Sequence, residues 1–168
     1  MAHTHLGSDG NGKQGGARKT PASSSKRRAA SKTAAIGSKE GQARVQEVLD
    51  RFARAMTAGA AEAVADLWET PAFVLGAGMV RAVATREEVV AFFSGTKEQY
   101  TSRGIDDTRA EIQRLDWVSD DLVVVDVRWP YLNADGDEVG EETSSYTLVA
   151  DDEGRLKIRS VLMRGAAE

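Results

Sequence analysis

The clearest pattern of apolar and polar positions lies in Asp121–Tyr131, DLVVVDVRWPY. It is rich in β-branched and aromatic residues and predicts a strand over Leu122–Leu132. Side chains alternate between the two faces of a strand. One face carries Val123, Val125, Val127 and Trp129; the other carries Leu122, Val124, Asp126 and Arg128. The all-apolar face belongs against a core, so Asp126 and Arg128 are expected on the outer side of a sheet.

The flanking segments read as neighbours of this strand. Thr108–Val118 predicts a long strand before it. Asp135-Gly136 within Asn133–Asp137 signals a hairpin into a strand over Glu138–Ala150. Asp151–Gly154 turns into a last strand, Arg155–Arg164. In these two strands Ser144, Tyr146, Leu148 and Ala150, with Leu156, Ile158, Ser160 and Leu162, make the inner sets. Thr143, Ser145, Thr147 and Val149, with Lys157, Arg159, Val161 and Met163, make the outer ones.

Upstream the period changes to that of helices. Val45, Val48, Leu49, Phe52 and Met56 recur at i, i+3, i+4, i+7 and i+11, which marks one face of a helix from about Gln42, with Gly59 as its stop. A second helix is expected over Ala61–Trp68, closed by Thr70-Pro71 because a residue before proline disfavours the helical conformation. Ala72–Leu75 reads as a short strand, turned by Gly76-Ala77-Gly78 into Met79–Val83. Thr85-Arg86-Glu87-Glu88 has the form of a capping box and opens a third helix, Arg86–Thr101. The expected class is α+β: three N-terminal helices packed on a curved, mostly antiparallel sheet.

Composition adds a division into two parts. Residues 1–41 hold eight Lys/Arg against two Asp/Glu, a net +6, and only Ile36 is a sizeable apolar residue between Leu6 and Val45. Such a segment buries too little apolar surface to offset its ordering entropy, so it is expected to be a disordered basic tail. Its Lys26-Arg27-Arg28 cluster reads first as a solubilising charge block. Residues 42–168, the expected folded domain, hold fourteen against twenty-four, a net −10. An acidic body is a poor match for the phosphate backbone, so nucleic acid is not an expected partner beyond weak contact through the tail. Both histidines, His3 and His5, lie in the tail and the chain has no cysteine. No metal or cofactor is expected. The chain shows no apolar run of membrane-spanning length and no secretory pattern, so a cytoplasmic location is expected.

The succession of a short helix ending in LWETPAFV, a glycine turn, the capped TREEVVAFF and a meander ending in DDEGRLKI resembles the nuclear transport factor 2-like superfamily, in its SnoaL-like branch, over about residues 43–164. The resemblance implies a cystatin-like cone of helices around a curved sheet, an apolar pocket inside, and a homodimer through the outer sheet face. It also brings enzymes into comparison. Ketosteroid isomerases use a tyrosine, a general base and a protonated acid, at positions that align with Phe52, Gly76 and Tyr146. Phenylalanine cannot donate a hydrogen bond and glycine cannot accept a proton, so only Tyr146 keeps a matching capacity. Scytalone dehydratase-like chemistry needs histidine, which the expected domain lacks. Limonene-epoxide hydrolase-like chemistry needs an Asp–Arg–Asp set inside the cone, for which Asp126, Arg128 and Asp116 are the counterparts.

The catalytic candidates are therefore Asp126, Arg128 and Tyr146. The expected pocket residues are Phe52, Trp68, Phe73, Phe93, Val125, Val127, Trp129, Ser144, Tyr146 and Ser160. Asn133, Asp135, Gly136, Asp137 and Glu142 match later positions of a calcium loop, but Tyr131 occupies the first, where a carboxylate is required. Three readings follow: binding of a small, mostly apolar molecule in the cone; a hydrolase or isomerase-type enzyme acting on a small organic substrate; and a dimeric interaction module whose cone is filled by its own aromatics.

Overall fold

The computed structural model describes residues 39–165. The expected basic tail lies outside the described residues except for its last three positions, which begin a helix. Helix α1 is Lys39–Ala58, starting three residues before Gln42. Its apolar stripe buries Val45, Leu49 and Phe52. Gly59 ends it with φ +68°, donating to the Met56 carbonyl at 3.1 Å while Ala60 donates to Ala55 at 2.9 Å. This pair of bonds is the Schellman closure, which satisfies carbonyls that the helix leaves free.

Helix α2 is only Ala61–Ala65, and Trp68 already opens strand β1, Trp68–Gly76. The expected helix through Trp68 is thus too long. Apolar Leu67 and Trp68 suit a strand equally well, and a β partner decides: Ile158 donates to the Leu67 carbonyl at 2.8 Å and Trp68 stands opposite Ile158. Thr70-Pro71, a cis peptide, lies within β1 at a break in register between Trp68 and Phe73. Strand β2 is Met79–Val83. The pairing of Gly76 with Met79 leaves Ala77 and Gly78 as a two-residue loop, both with positive φ, as a type I′ turn requires.

The expected third helix is two. α3 is Arg86–Phe93 and α4 is Thr96–Ser102, parted at Gly95 with φ +86°. Thr85 caps α3 by accepting from the Glu88 amide at 3.3 Å, and the Glu88 carboxylate accepts from Ala84 at 2.8 Å. The reciprocal half of the capping box therefore reaches one residue further back than the usual arrangement.

The remaining strands are β3, Asp107–Thr108; β4, Glu111–Ser119; β5, Leu122–Leu132; β6, Glu138–Ala150; and β7, Leu156–Gly165. The sheet runs β2-β1-β7-β6-β5-β3, with β4 also pairing β5. All pairs are antiparallel except β1 with β7, which are parallel, so the sheet is mixed. The expected single strand Thr108–Val118 is split, because Thr108 pairs with Tyr131 whereas β4 begins at Glu111 opposite Arg128.

The helices cover the inner face of the sheet. Val123, Val125 and Val127 are each no more than 1% exposed, and their burial contributes roughly 1.5–3 kcal/mol apiece relative to exposure. Asp126 and Arg128 lie on the other side, as the alternation in β5 requires. In β7 the alternation changes phase. Leu148 pairs with Ile158 but Thr147 pairs with Ser160, so Arg159 is an extra residue, a β-bulge. Before it Leu156 and Ile158 point inward; after it Val161 and Met163 do, and Ser160 and Leu162 turn outward. The expected inner position of Ser160 and outer positions of Val161 and Met163 are corrected accordingly.

Candidate functional site

Between the helices and the inner face of β5–β7 lies a cavity of about 90 Å³. Phe52 stands at the centre of its wall. Its ring meets those of Trp68, Phe93, Trp129 and Tyr146 edge to face, with centroids 5.8–6.4 Å apart. This is the arrangement that aromatic quadrupoles favour. Ala53 and Met56 from α1, Phe92 from α3, and Val161 and Met163 from β7 complete the apolar lining.

The other end is polar. Tyr100 of α4, Thr108 of β3, Tyr131 of β5, and Glu142 and Ser144 of β6 line it. The Tyr131 hydroxyl donates to a Glu142 carboxylate oxygen. Thr108 is already engaged, donating to the Pro130 carbonyl at 2.8 Å. Burial, then the Glu142 charge, pushes the Tyr100 phenol up to about 12. The Tyr131 phenol is raised by burial first and by its hydrogen bond to Glu142 second. Burial also raises Tyr146; Ser144 and the Trp129 indole beside its hydroxyl offset this only in part. All three phenols therefore keep their protons at neutral pH, and the Tyr131 hydroxyl is the one that donates to Glu142. The buried indole nitrogens of Trp68 and Trp129 have no partner of acceptable hydrogen-bond geometry.

Of the expected pocket residues, Phe52, Trp68, Phe93, Trp129, Ser144 and Tyr146 line this cavity. Val125 and Val127 are buried beside it in the core without lining it. Phe73 is 49% exposed on the outer face of β1, and Ser160 is turned away by the bulge. Tyr131 and Glu142, which the sequence presents as calcium-loop positions, fall on the inner alternations of β5 and β6, where extending Trp129 and Ser144 by two residues finds them. In the loop between those strands, Asn133 Oδ1 accepts from the Asp135 and Asp137 amides at 3.0 and 2.9 Å, which ties its acceptor to the hairpin.

The charged candidates are not in the cavity. Arg128 donates to Glu111 at 2.9 Å and to Glu138 and Glu141. These partners, Glu111 first, raise the guanidinium pKa, while Arg128 holds Glu111 below its usual range. Asp126 accepts from Ser145 at 2.6 Å and lies 3.9 Å from Arg164. Asp116 is on exposed β4, 3.7 Å from Arg114. Each therefore has its own partner, and no Asp–Arg–Asp set is assembled inside the cone. A separate surface groove of about 530 Å³ includes Arg44, Arg51, Arg86, Arg155 and Lys157. Two of these cations are held by carboxylates: Arg86 by Glu62 and Asp66, Arg155 by Asp151 and Glu153.

Solved structures share this architecture. A domain of unknown function with a cystatin-like fold from Nostoc punctiforme superposes with a TM-score of 0.58 at 17% identity, covering 78% of this chain and 80% of that one. Aln2 from a Streptomyces species gives 0.59 at 18%, covering 77% and 94%. A Catenulispora acidiphila protein in complex with S-DNPA gives 0.56 at 22%, covering 75% and 93%. At these identities the likeness is one of fold. No curated protein matches the sequence. A family model described as NTF2-like protein (DUF6841) matches residues 39–166, the whole of the helix-and-sheet unit that encloses the cavity, and the chain belongs to that family.

Proposed function

We propose that this protein binds a small, mostly apolar molecule inside the cone. The observation that carries this reading is the cavity, with aromatic and aliphatic walls and a few convergent polar groups at one end, the usual composition of a ligand site. Its volume of about 90 Å³ sets the scale. Clefts for drug-sized ligands span roughly 300–1,000 Å³, so the ligand is small, of the order of one ring or a short branched chain. The reading of a filled interaction module is weakened because Phe52, Trp68, Phe93 and Trp129 pack together without closing this space. The enzyme reading loses Asp126 and Arg128, which face away from it. The test uses xenon under pressure on crystals and benzene in solution. Xenon density in the cavity and a benzene-dependent change in tryptophan fluorescence are expected, since Trp68 and Trp129 form the wall. Exclusion of xenon together with no response to benzene would refute the reading.

We also propose that the outer sheet face seats a second copy of the chain. Phe73 and Leu162, 49% and 41% exposed, share this face because Phe73 pairs with Ser160 and Leu75 with Leu162. Exposed apolar residues grouped on one face mark interaction surfaces. Light scattering is expected to read twice the 18.0 kDa chain mass at micromolar concentration. Phe73→Glu combined with Leu162→Glu is expected to halve it; a monomeric wild-type protein contradicts the proposal.

A further inference from the structure

We infer that the molecule held in the cavity is a small organic cation, of the alkylammonium class, recognised by aromatic faces and the Glu142 carboxylate. The inference rests on the cavity reading above and gives its ligand a charge. Eight of the fifteen lining residues are aromatic, and Glu142 is the only charged one. Aromatic faces carry the negative part of the ring quadrupole and attract a cation, most strongly where water is excluded. A cage of rings closed by a carboxylate is therefore matched to an ammonium group with an apolar surround.

The state of Glu142 points the same way. It forms no ion pair among the described residues; its one hydrogen-bond partner is the neutral hydroxyl of Tyr131. On the outer sheet face, by contrast, Arg128 is paired with Glu111, Glu138 and Glu141, and Asp126 lies within 4 Å of Arg164. Arg103 lies near, but its guanidinium is stacked over the Tyr131 ring at 5.0 Å and does not line the cavity. Glu142 is half-buried at the polar end of the cavity, and a bound cation would give its charge the opposite partner it lacks among the described residues. An anion would meet Glu142 and the ring faces with the wrong sign. The acidic body, net −10 over residues 42–168, raises the local concentration of cations over anions in the same sense.

The experiment compares three probes of one shape on the full chain at constant ionic strength: tetramethylammonium, tert-butanol and trimethylacetate. Binding is read by tryptophan fluorescence and by shifts of aromatic proton resonances. Tetramethylammonium is expected to bind at least tenfold more tightly than tert-butanol, and trimethylacetate not to bind. Glu142→Gln is expected to lose at least tenfold in affinity for the cation while binding of tert-butanol stays within twofold, which also shows that the variant is folded. If tert-butanol binds as tightly as the cation, or Glu142→Gln leaves the cation affinity unchanged, the cation inference is overturned and the cavity reading stands. If none of the three binds and benzene also fails, the cavity reading falls and this inference with it. The wild-type comparison decides the matter even if Glu142→Gln does not fold.

Discussion

Replacing Phe52 with alanine is expected to destabilise the protein by about 3–5 kcal/mol, the range for deleting a fully buried phenylalanine. The side chain is 4% exposed and is the common neighbour of four rings. Each edge-to-face pair adds roughly 0.5–1.5 kcal/mol beyond burial alone, so the loss belongs near the top of that range. Domains of this size are stable by only about 5–15 kcal/mol, so the change takes much of the margin. Urea denaturation, with the slope of the transition held to its wild-type value, measures it. A loss below about 1 kcal/mol would mean that the surrounding rings collapse into the space, and the description of Phe52 as the centre of the wall would be wrong.

The same substitution separates packing from binding. The wall ring it removes adjoins the existing cavity, so the two spaces merge into a larger one that holds benzene more tightly than the wild-type cavity does. Apolar cavities of that kind stay dry and accept such ligands. Benzene is therefore expected to restore part of the stability lost in Phe52→Ala, in proportion to the logarithm of its concentration above its dissociation constant. The task of Phe52 in this chain is accounted for by the ring alone.

How legible this site is in the sequence depends on the element. In β5 the alternation is regular from Leu122 through Trp129, and it places Val123, Val125, Val127 and Trp129 inside and Asp126 and Arg128 outside without further information. Carried two residues further, the same alternation yields Tyr131, and in β6 it yields Glu142. The polar end of the cavity is thus present in the pattern but is obscured by the more familiar spacing of a calcium loop. β7 is different. One extra residue at Arg159 exchanges the faces of everything after it, and a bulge leaves no composition signal here, so Val161 and Met163 emerge only from the pairing itself. Long-range pairing also overrides local preference at Trp68, where a helical apolar spacing yields to a parallel strand partner. The break between α3 and α4 is signalled by Ser94-Gly95, which a continuous apolar face at Phe92, Phe93 and Tyr100 conceals. Alternation is a local property and survives in the sequence; phase shifts and partner choice are set by segments far away in the chain.

That dependence on partner strands can be tested at the end of β1. Gly76→Ala is expected to cost at least about 3 kcal/mol, much more than the chemically identical Gly78→Ala two residues away. Both glycines have positive φ, +125° and +76°, and a side chain is strained at either position. For Gly78 strain is the whole effect, because nothing lies within 4 Å of where its β-carbon would stand; about 1–2 kcal/mol is expected. At Gly76 a Cβ would stand 2.3 Å from the Met163 carbonyl oxygen, well inside contact distance. That oxygen belongs to the backbone of β7 and cannot rotate away, so relief requires β1 and β7 to separate where their parallel pairing meets the β1–β2 turn. Overpacking of this kind adds roughly 1–3 kcal/mol to the strain. Met163 also lines the cavity. The displacement therefore reaches the ligand site, and Gly76→Ala is expected to weaken benzene or tetramethylammonium binding where Gly78→Ala leaves it intact. Equal unfolding midpoints for the two variants would show that β7 yields freely at Met163, and that the close approach of the two backbones does not fix this end of the cavity.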